Sequence, residues 1–304
     1  MILLNPLEYD IARPLITDCS AELSVFATLG RTNPGEVWVD SREKPTALVM
    51  RTTETTVVAG SVANAAVLED IRCNVLDEWE VVYPDSAEWE SCTEKWHPNP
   101  WLRRYMRRRL TAQKLLYTDY AAHLPDGYVL EPVTRELLED ASIENHDALR
   151  HWVDNWGRDN YFARGAGFVV RQGNVLASWS VTDCVIGDRA AIGIVTDARH
   201  RRRGLGAIAA AATADYWFRH GIRELDWLCV AANKGSQAIA KKLGFTLVQE
   251  YPTYTCRPPY ENDGDQTAEQ WREWAAYYRP AYEQAPEKYR EIMERCCRCG
   301  EITL

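Results

Sequence analysis

Short apolar and β-branched runs occupy residues 35–40, 47–51 and 55–60, and the residues between them favour turns. This pattern predicts three strands, the first two paired around residues 41–45. Residues 62–73 then read as a helix. Leu124-Pro125-Asp126-Gly127 is a turn sequence and places a boundary near residue 126. Beyond it, residues 129–133 predict a strand, 134–140 a helix capped by Thr134, and 145–156 a second helix. Residues 167–170 and 175–181 flank Gln172-Gly173-Asn174 as a hairpin. Residues 191–196 form a short apolar run that predicts a buried strand, closed by the polar turn 197–200. Residues 205–218 are rich in alanine and lack proline, which predicts a helix ended by Gly221. Residues 225–230 predict one more strand, followed by a short helix.

A strand that runs through a glycine-bearing turn into a helix leaves several backbone N–H groups aimed at one point, reinforced by the helix dipole. Here the turn is Arg201-Arg202-Arg203-Gly204-Leu205-Gly206-Ala207, whose three arginines add positive potential. The chemistry suits a diphosphate or a nucleotide. The glycine spacing is neither the dinucleotide fingerprint nor the P-loop.

Arg201-x-x-Gly204-x-Gly206 resembles the pyrophosphate loop of the GNAT acyltransferases, and the elements after it extend the likeness. Asn233-x-x-Ser236, a short helix and the closing Leu243-Gly244-Phe245 look like the second motif of that family. The resemblance implies a GNAT fold with a mixed central sheet, in the α/β (α+β) class, and acetyl-CoA as cosubstrate. It also implies that Ile194, Val195 and Thr196 meet the pantetheine arm, that residues 201–207 hold the diphosphate, and that Asn233 and Ser236 lie beside the arm. Asn233 reads equally as a helix cap, and Ser236 as a helix-start residue. The match is strongest over residues 165–251, with details similar to a bacterial subgroup that pairs a diverged N-terminal domain with a C-terminal acetyltransferase domain. The expected organisation is therefore 1–125 as a diverged GNAT-like domain, 126–256 as the acetyltransferase domain, and 257–304 as a linker and helical tail.

Amine attack on a thioester needs a proton acceptor and a donor to the departing thiolate. The position that often carries the family's tyrosine acid is Ala240, and the strand before the loop has no acidic residue or histidine. The base must then come from elsewhere or act through water; Asp226 on the following strand, Asp183, Cys184 and His200 are candidates, though each such residue is more often structural. The reading is acetyl transfer to the amine of a small molecule; the missing acid and base leave a non-catalytic acyl-CoA-binding or scaffolding protein as the alternative.

Composition narrows the partners. A length of 304 residues suggests about two domains, and a net charge of −9 argues against a nucleic-acid partner. The basic run 101–110 reads mainly as a solvated face or as a partner for the abundant carboxylates. No apolar stretch reaches membrane-spanning length, and nine scattered cysteines fit a reducing, cytoplasmic setting. Trp271, Trp274 and Tyr278, then Tyr289, Ile292, Met293 and Cys296, recur at helical spacing and predict a helical pair separated by Pro280 and Pro286. That pair is a possible oligomer contact. Cys296-x-x-Cys299 lacks a second pair of ligands, so no metal is expected.

Overall fold

The computed structural model describes residues 1–17, 22–76, 81–97, 102–256 and 263–304. Four short strands open the chain: β1 (Ile2–Leu3), β2 (Glu36–Val39), β3 (Ala47–Arg51) and β4 (Thr56–Gly60), joined antiparallel in that order. Helix α1 (Leu23–Leu29) lies between the first two, and α2 (Ala65–Asp70) leads from β4 toward β5 (Val82–Pro84), which pairs parallel to β4. Helix α3 (Ala87–Trp96) then feeds β6 (Arg103–Ala112).

The second half repeats this plan at larger scale. After β7 (Val129–Pro132) come three helices, α4 (Arg135–Glu139), α5 (His146–Asn155) and α6 (Arg158–Arg164). An antiparallel run follows through β8 (Gly167–Gln172), β9 (Val175–Ile186) and β10 (Arg189–Thr196). Helix α7 (Leu205–Arg219) crosses over to β11 (Glu224–Val230), parallel to β10, and α8 (Lys234–Leu243) leads to β12 (Thr246–Thr255).

All twelve strands form one sheet in the order β1-β2-β3-β4-β5-β12-β6-β11-β10-β9-β8-β7. The order reads the same from either end when each strand is matched to the one six places later in the chain. At the centre, β6 and β12 lie side by side; β6 also pairs with β11 of the other half, and β12 with β5. A division of the chain near residue 126 thus falls in the loop after β6, yet β6 sits among strands of the second half.

Helix α7 is the central pillar. Its residues 205–214 are all buried, and its alanines bring the backbone close to the sheet. Thr213 donates to the carbonyl of Ser180 at 3.1 Å, and the Trp217 indole to the Thr182 hydroxyl at 2.9 Å, so these two polar side chains of the helix are satisfied. Gly221, at φ +91°, ends the helix as expected.

Three local expectations need correction. The first-half helix begins only at Ala65, because the Asn64 side chain accepts from the amides of Ala66 and Val67 and caps it there; a π turn continues it to Val75. Of the two readings of the basic run, the solvated face gives way and the partner for carboxylates holds: the run becomes β6, with Arg104 on Glu90, Arg107 on Glu22 and Glu54, Arg108 on Glu250, and Arg109 on Glu224 and Asp226. Trp101 of that run lies outside the described residues. In the tail, α9 (Ala268–Gln284) passes through Pro280, and only Pro286 divides it from α10 (Pro286–Gly300). Trp271, Trp274 and Tyr278 pack against Met293 and Cys296 across the pair, which offsets the one helical hydrogen bond that Pro280 removes. Of the acidic linker 261–265, residues 261 and 262 lie outside the described residues.

Candidate active site

Strands β10 and β11 pair only through Arg189–Ala191 and Glu224–Asp226. A bulge between Ala191 and Ile192 then turns β10, which stays on β9 as far as Thr196, while β11 stays on β6 as far as Val230. The inner edges of Ile192–Thr196 and Trp227–Val230 therefore diverge, and a cavity of about 790 Å³ opens at the wide end.

Ile194, Val195 and Thr196 form one wall of that cavity; Arg201, Arg202 and Gly204 to Ala207 form its end; Asn233 and Ser236 lie opposite. Arg203 is absent from this lining, and its guanidinium points instead to the Tyr128 hydroxyl at 3.3 Å. That hydroxyl lies 2.8 Å from His200 Nδ1. Arg201 donates to the Thr196 carbonyl at 3.2 Å, which ties the loop to the strand end.

The α7 N-terminus has no side-chain cap, and the first amide bonded within the helix is Ile208 N–H to the Gly204 carbonyl. The amides of residues 205–207 thus face the cavity with no helical acceptor, a site suited to an anion. The two glycines serve different ends. Gly204 sits at φ +81°, and a Cβ there would meet nothing within 4 Å, so the backbone conformation is what requires it. At Gly206 a Cβ would come 2.9 Å from Thr196 Oγ1 and 3.2 Å from Ile239 Cδ1, so close packing of helix on strand excludes a side chain.

Asn233 caps α8, its Oδ1 accepting from the Ser236 amide at 2.9 Å, and the Ser236 hydroxyl accepts from the Trp227 indole at 2.9 Å. Both readings of Asn233 thus share one position: it caps the helix and faces the cavity.

A second cavity, about 350 Å³, continues between the splayed strands and shares Trp152, Ile194, Asn233 and Ser236 with the first. Glu54, Arg107 and Asp183 face it. Arg107 donates to Glu22 and to Glu54, each at 3.2 Å, and Glu22 also accepts from the Tyr251 hydroxyl at 2.9 Å. Burial pushes the Glu54 carboxyl above the ordinary value; the Arg107 charge pulls it back in part, and the Glu22 charge raises it further. Asp183 accepts from the Trp152 indole at 2.8 Å.

Asp226 lies in the paired section of the two strands, 1 % exposed and outside both cavities. Arg109 holds it at 2.8 Å and Arg189 at 2.7 Å. Burial raises its pKa, with Arg189 and then Arg109 opposing. Cys184 is buried against Leu23 and Ala27 of α1. Of the four candidate bases, only Asp183 faces the inner cavity, and His200 borders the outer one. The sequence reading passed over Glu54 and Trp152, and it took Arg107 as one of a basic run. The signal available for Arg107 was its place in an alternating segment, where residues two apart share a face.

The corresponding place in the first half is filled. Strand β4 pairs with β5 through Thr56–Val58, and two residues on, the Gly60 carbonyl accepts from the indole of fully buried Trp89 at 2.9 Å. Among the described residues, no cluster of three or more His, Cys, Asp or Glu could hold a metal ion, and no helix is long and apolar enough to cross a membrane.

Comparison with known proteins agrees with this architecture. The GNAT acetyltransferase family profile matches residues 13–254. An uncharacterized N-acetyltransferase of Bacillus subtilis, YdfB, is 25% identical over 258 residues, covering 81% of this chain and 95% of that protein. A GCN5-related N-acetyltransferase-like protein from Streptococcus suis superposes with a TM-score of 0.64 at 19% identity, covering 82% of this chain and 98% of the other. A tandem GNAT protein from the clavulanic acid biosynthesis pathway gives 0.53 at 14% identity, covering 83% of this chain and 94% of the other. With a match that runs from before α1 almost to the end of β12, the chain belongs to the GNAT acetyltransferase family and is an acyltransferase.

Proposed function

We propose that the protein transfers an acetyl group from acetyl-CoA to the amine of a small molecule. The observation that carries this reading is the outer cavity, where the free amides of residues 205–207 and the side chains of Arg201 and Arg202 meet the open edge of β10. In this reading the diphosphate rests on the α7 N-terminus, where amide dipoles and guanidinium charge favour an anion. The pantetheine amides pair with the backbone of residues 194–196, as an added strand would. That path carries the thioester inward to Trp152 and Asn233, where the two cavities join. The amine nitrogen then attacks the carbonyl carbon, and the C–S bond breaks.

We also take the chain to divide near residue 126 into two related units that share β6 and β12. The second unit holds CoA, and the filled position at Trp89 fits a first unit without a cofactor. The arginines of the basic run are engaged by carboxylates, which supports a small-molecule acceptor rather than a nucleic acid.

Isothermal calorimetry with CoA, together with detection of thiol released from acetyl-CoA across an amine panel, tests the reading. One CoA bound per chain and a rise in melting temperature on saturation are expected. Absence of binding at millimolar CoA would overturn it.

A further inference from the structure

The inner cavity contains a residue contributed from outside the acetyltransferase half. Glu54 stands in the turn between β3 and β4, yet it faces the same space as Ile192, Gly193 and Ile194 of β10 and Trp227 to Val230 of β11. A quarter of its side-chain surface remains exposed. Arg107 brings it there, because one guanidinium from β6 reaches both Glu54 and Glu22.

The charges facing this space are unequal. Glu54 comes from the first half and Asp183 from β9, while the cation among the described lining residues is Arg107 on β6, already bonded to Glu54 and to Glu22, which is buried behind the wall. The Tyr251 hydroxyl of β12 adds a donor to Glu22. The surplus is negative, in a pocket walled by Trp152, Ile192, Trp227 and Val230. A cationic group on an apolar stem is complementary to such a pocket, whereas a carboxylate would meet like charge.

We propose that this inner cavity is the acceptor site for a small amine that carries no carboxylate of its own, and that Glu54 takes the proton from its ammonium group. The proposal rests on the acetyl-transfer reading given above. Asp183, oriented by the Trp152 indole, pairs with the ammonium as it enters. One ammonium proton passes to Glu54, and the freed lone pair attacks the thioester carbonyl carbon, forming the C–N bond. As the C–S bond breaks, the second proton on nitrogen goes to the departing sulfur. Glu54 then releases its proton to solvent through its exposed edge. Burial favours the protonated form of Glu54 and so makes its carboxylate a better base than one in water.

The test uses the full chain, acetyl-CoA, and a panel of straight-chain primary alkylamines alongside the ω-amino acids of equal length, with thiol release as readout. Alkylamines are expected to be turned over in preference to the amino acids. Glu54→Gln is expected to lower kcat/KM for the best amine by about 10²–10⁴-fold near neutral pH, with CoA affinity and melting temperature unchanged. Its rate should recover as rising pH supplies free amine, and Glu54→Asp should retain more activity than Glu54→Gln. Asp183→Asn should raise KM for the amine and leave the shape of the pH profile unchanged. A Glu54→Gln variant as fast as the parent, or one slow only because CoA binding or folding is lost, would overturn the role of Glu54. Preference for the amino acids, or no turnover of any amine by a chain that binds CoA, would overturn the acceptor class. Failure to bind CoA would instead remove the acetyl-transfer reading beneath it.

Discussion

The guanidinium of Arg107, midway along β6, lies 3.2 Å from the carboxylate of Glu22, the residue just before α1. Glu22 is fully buried, and its other donors are the hydroxyls of Thr55 and Tyr251. One contact thus joins the first helix, the β3–β4 turn and both central strands. Removal of the cation leaves a buried anion without its charge partner, a change that costs about 3–5 kcal/mol. Arg107→Met should therefore lose a large part of a stability of about 5–15 kcal/mol, measured by urea unfolding. Adding Glu22→Gln to that variant should recover part of the loss, since the stranded charge is then gone. Strictly additive losses would show that the pair does not act as one.

Gly204 and Gly206 offer a contrast between ligand and fold. A side chain at Gly204 meets no protein atom, and aspartate tolerates its left-handed conformation better than most residues. Gly204→Asp should lower the melting temperature only modestly, through the strain of its left-handed backbone, while it abolishes CoA binding by adding negative charge before the free amides. Gly206→Ala should do the reverse at first, lowering the melting temperature because its Cβ strikes Thr196. Unchanged CoA affinity in Gly204→Asp would place the diphosphate elsewhere.

Asp197 makes the loop sensitive to acid. Its carboxylate accepts from the Arg199 amide at 2.8 Å, from the Arg199 guanidinium at 2.9 Å and from Asn145 at 2.8 Å. The bond from the Arg199 side chain lowers its pKa well below the ordinary 3.8 and outweighs burial. Because the folded value is depressed, the stability it contributes is present above 3.8 and is lost as pH falls through the folded value. The difference in unfolding free energy between the parent and Asp197→Asn should be constant near neutral pH and shrink in acid. A difference that persists in acid would show that the carboxylate's charge is not what holds the loop.

Local signals in the sequence were sufficient for much of the second half. The run 191–196, the alanine-dense helix and Gly221 declared themselves because apolar period and glycine chemistry are set by neighbours in the chain. The two ends of the charge network were not legible in this way. Arg107 and Glu54 stand 53 residues apart, and nothing near Glu54 distinguishes it from any polar turn residue. That the arginines of β6 would meet carboxylates was legible from the acidic composition, but which carboxylates was not, because these come from segments far away in the chain. Asp226 had suitable chemistry in a suitable strand, yet the register with Ala191 puts it in the paired section, where Arg109 and Arg189 hold it. Pro280 misled for a related reason: the helix continues through it because α10 packs along its aromatic face.

The exchange of β6 and β12 has a consequence for how the chain is made. During synthesis, the first half emerges with β5 paired to β4 on one side and without its neighbour on the other, since that neighbour, β12, is the last strand to be made. The Tyr251–Glu22 bond closes a loop of 229 residues, so it forms only when nearly the whole chain has left the ribosome. Contacts so distant in sequence slow the final step and leave unpaired strand edges exposed to neighbouring nascent chains until β12 arrives. A nonsense mutation just before Thr246 would on this account unmake both halves together, sparing neither as an independent fragment.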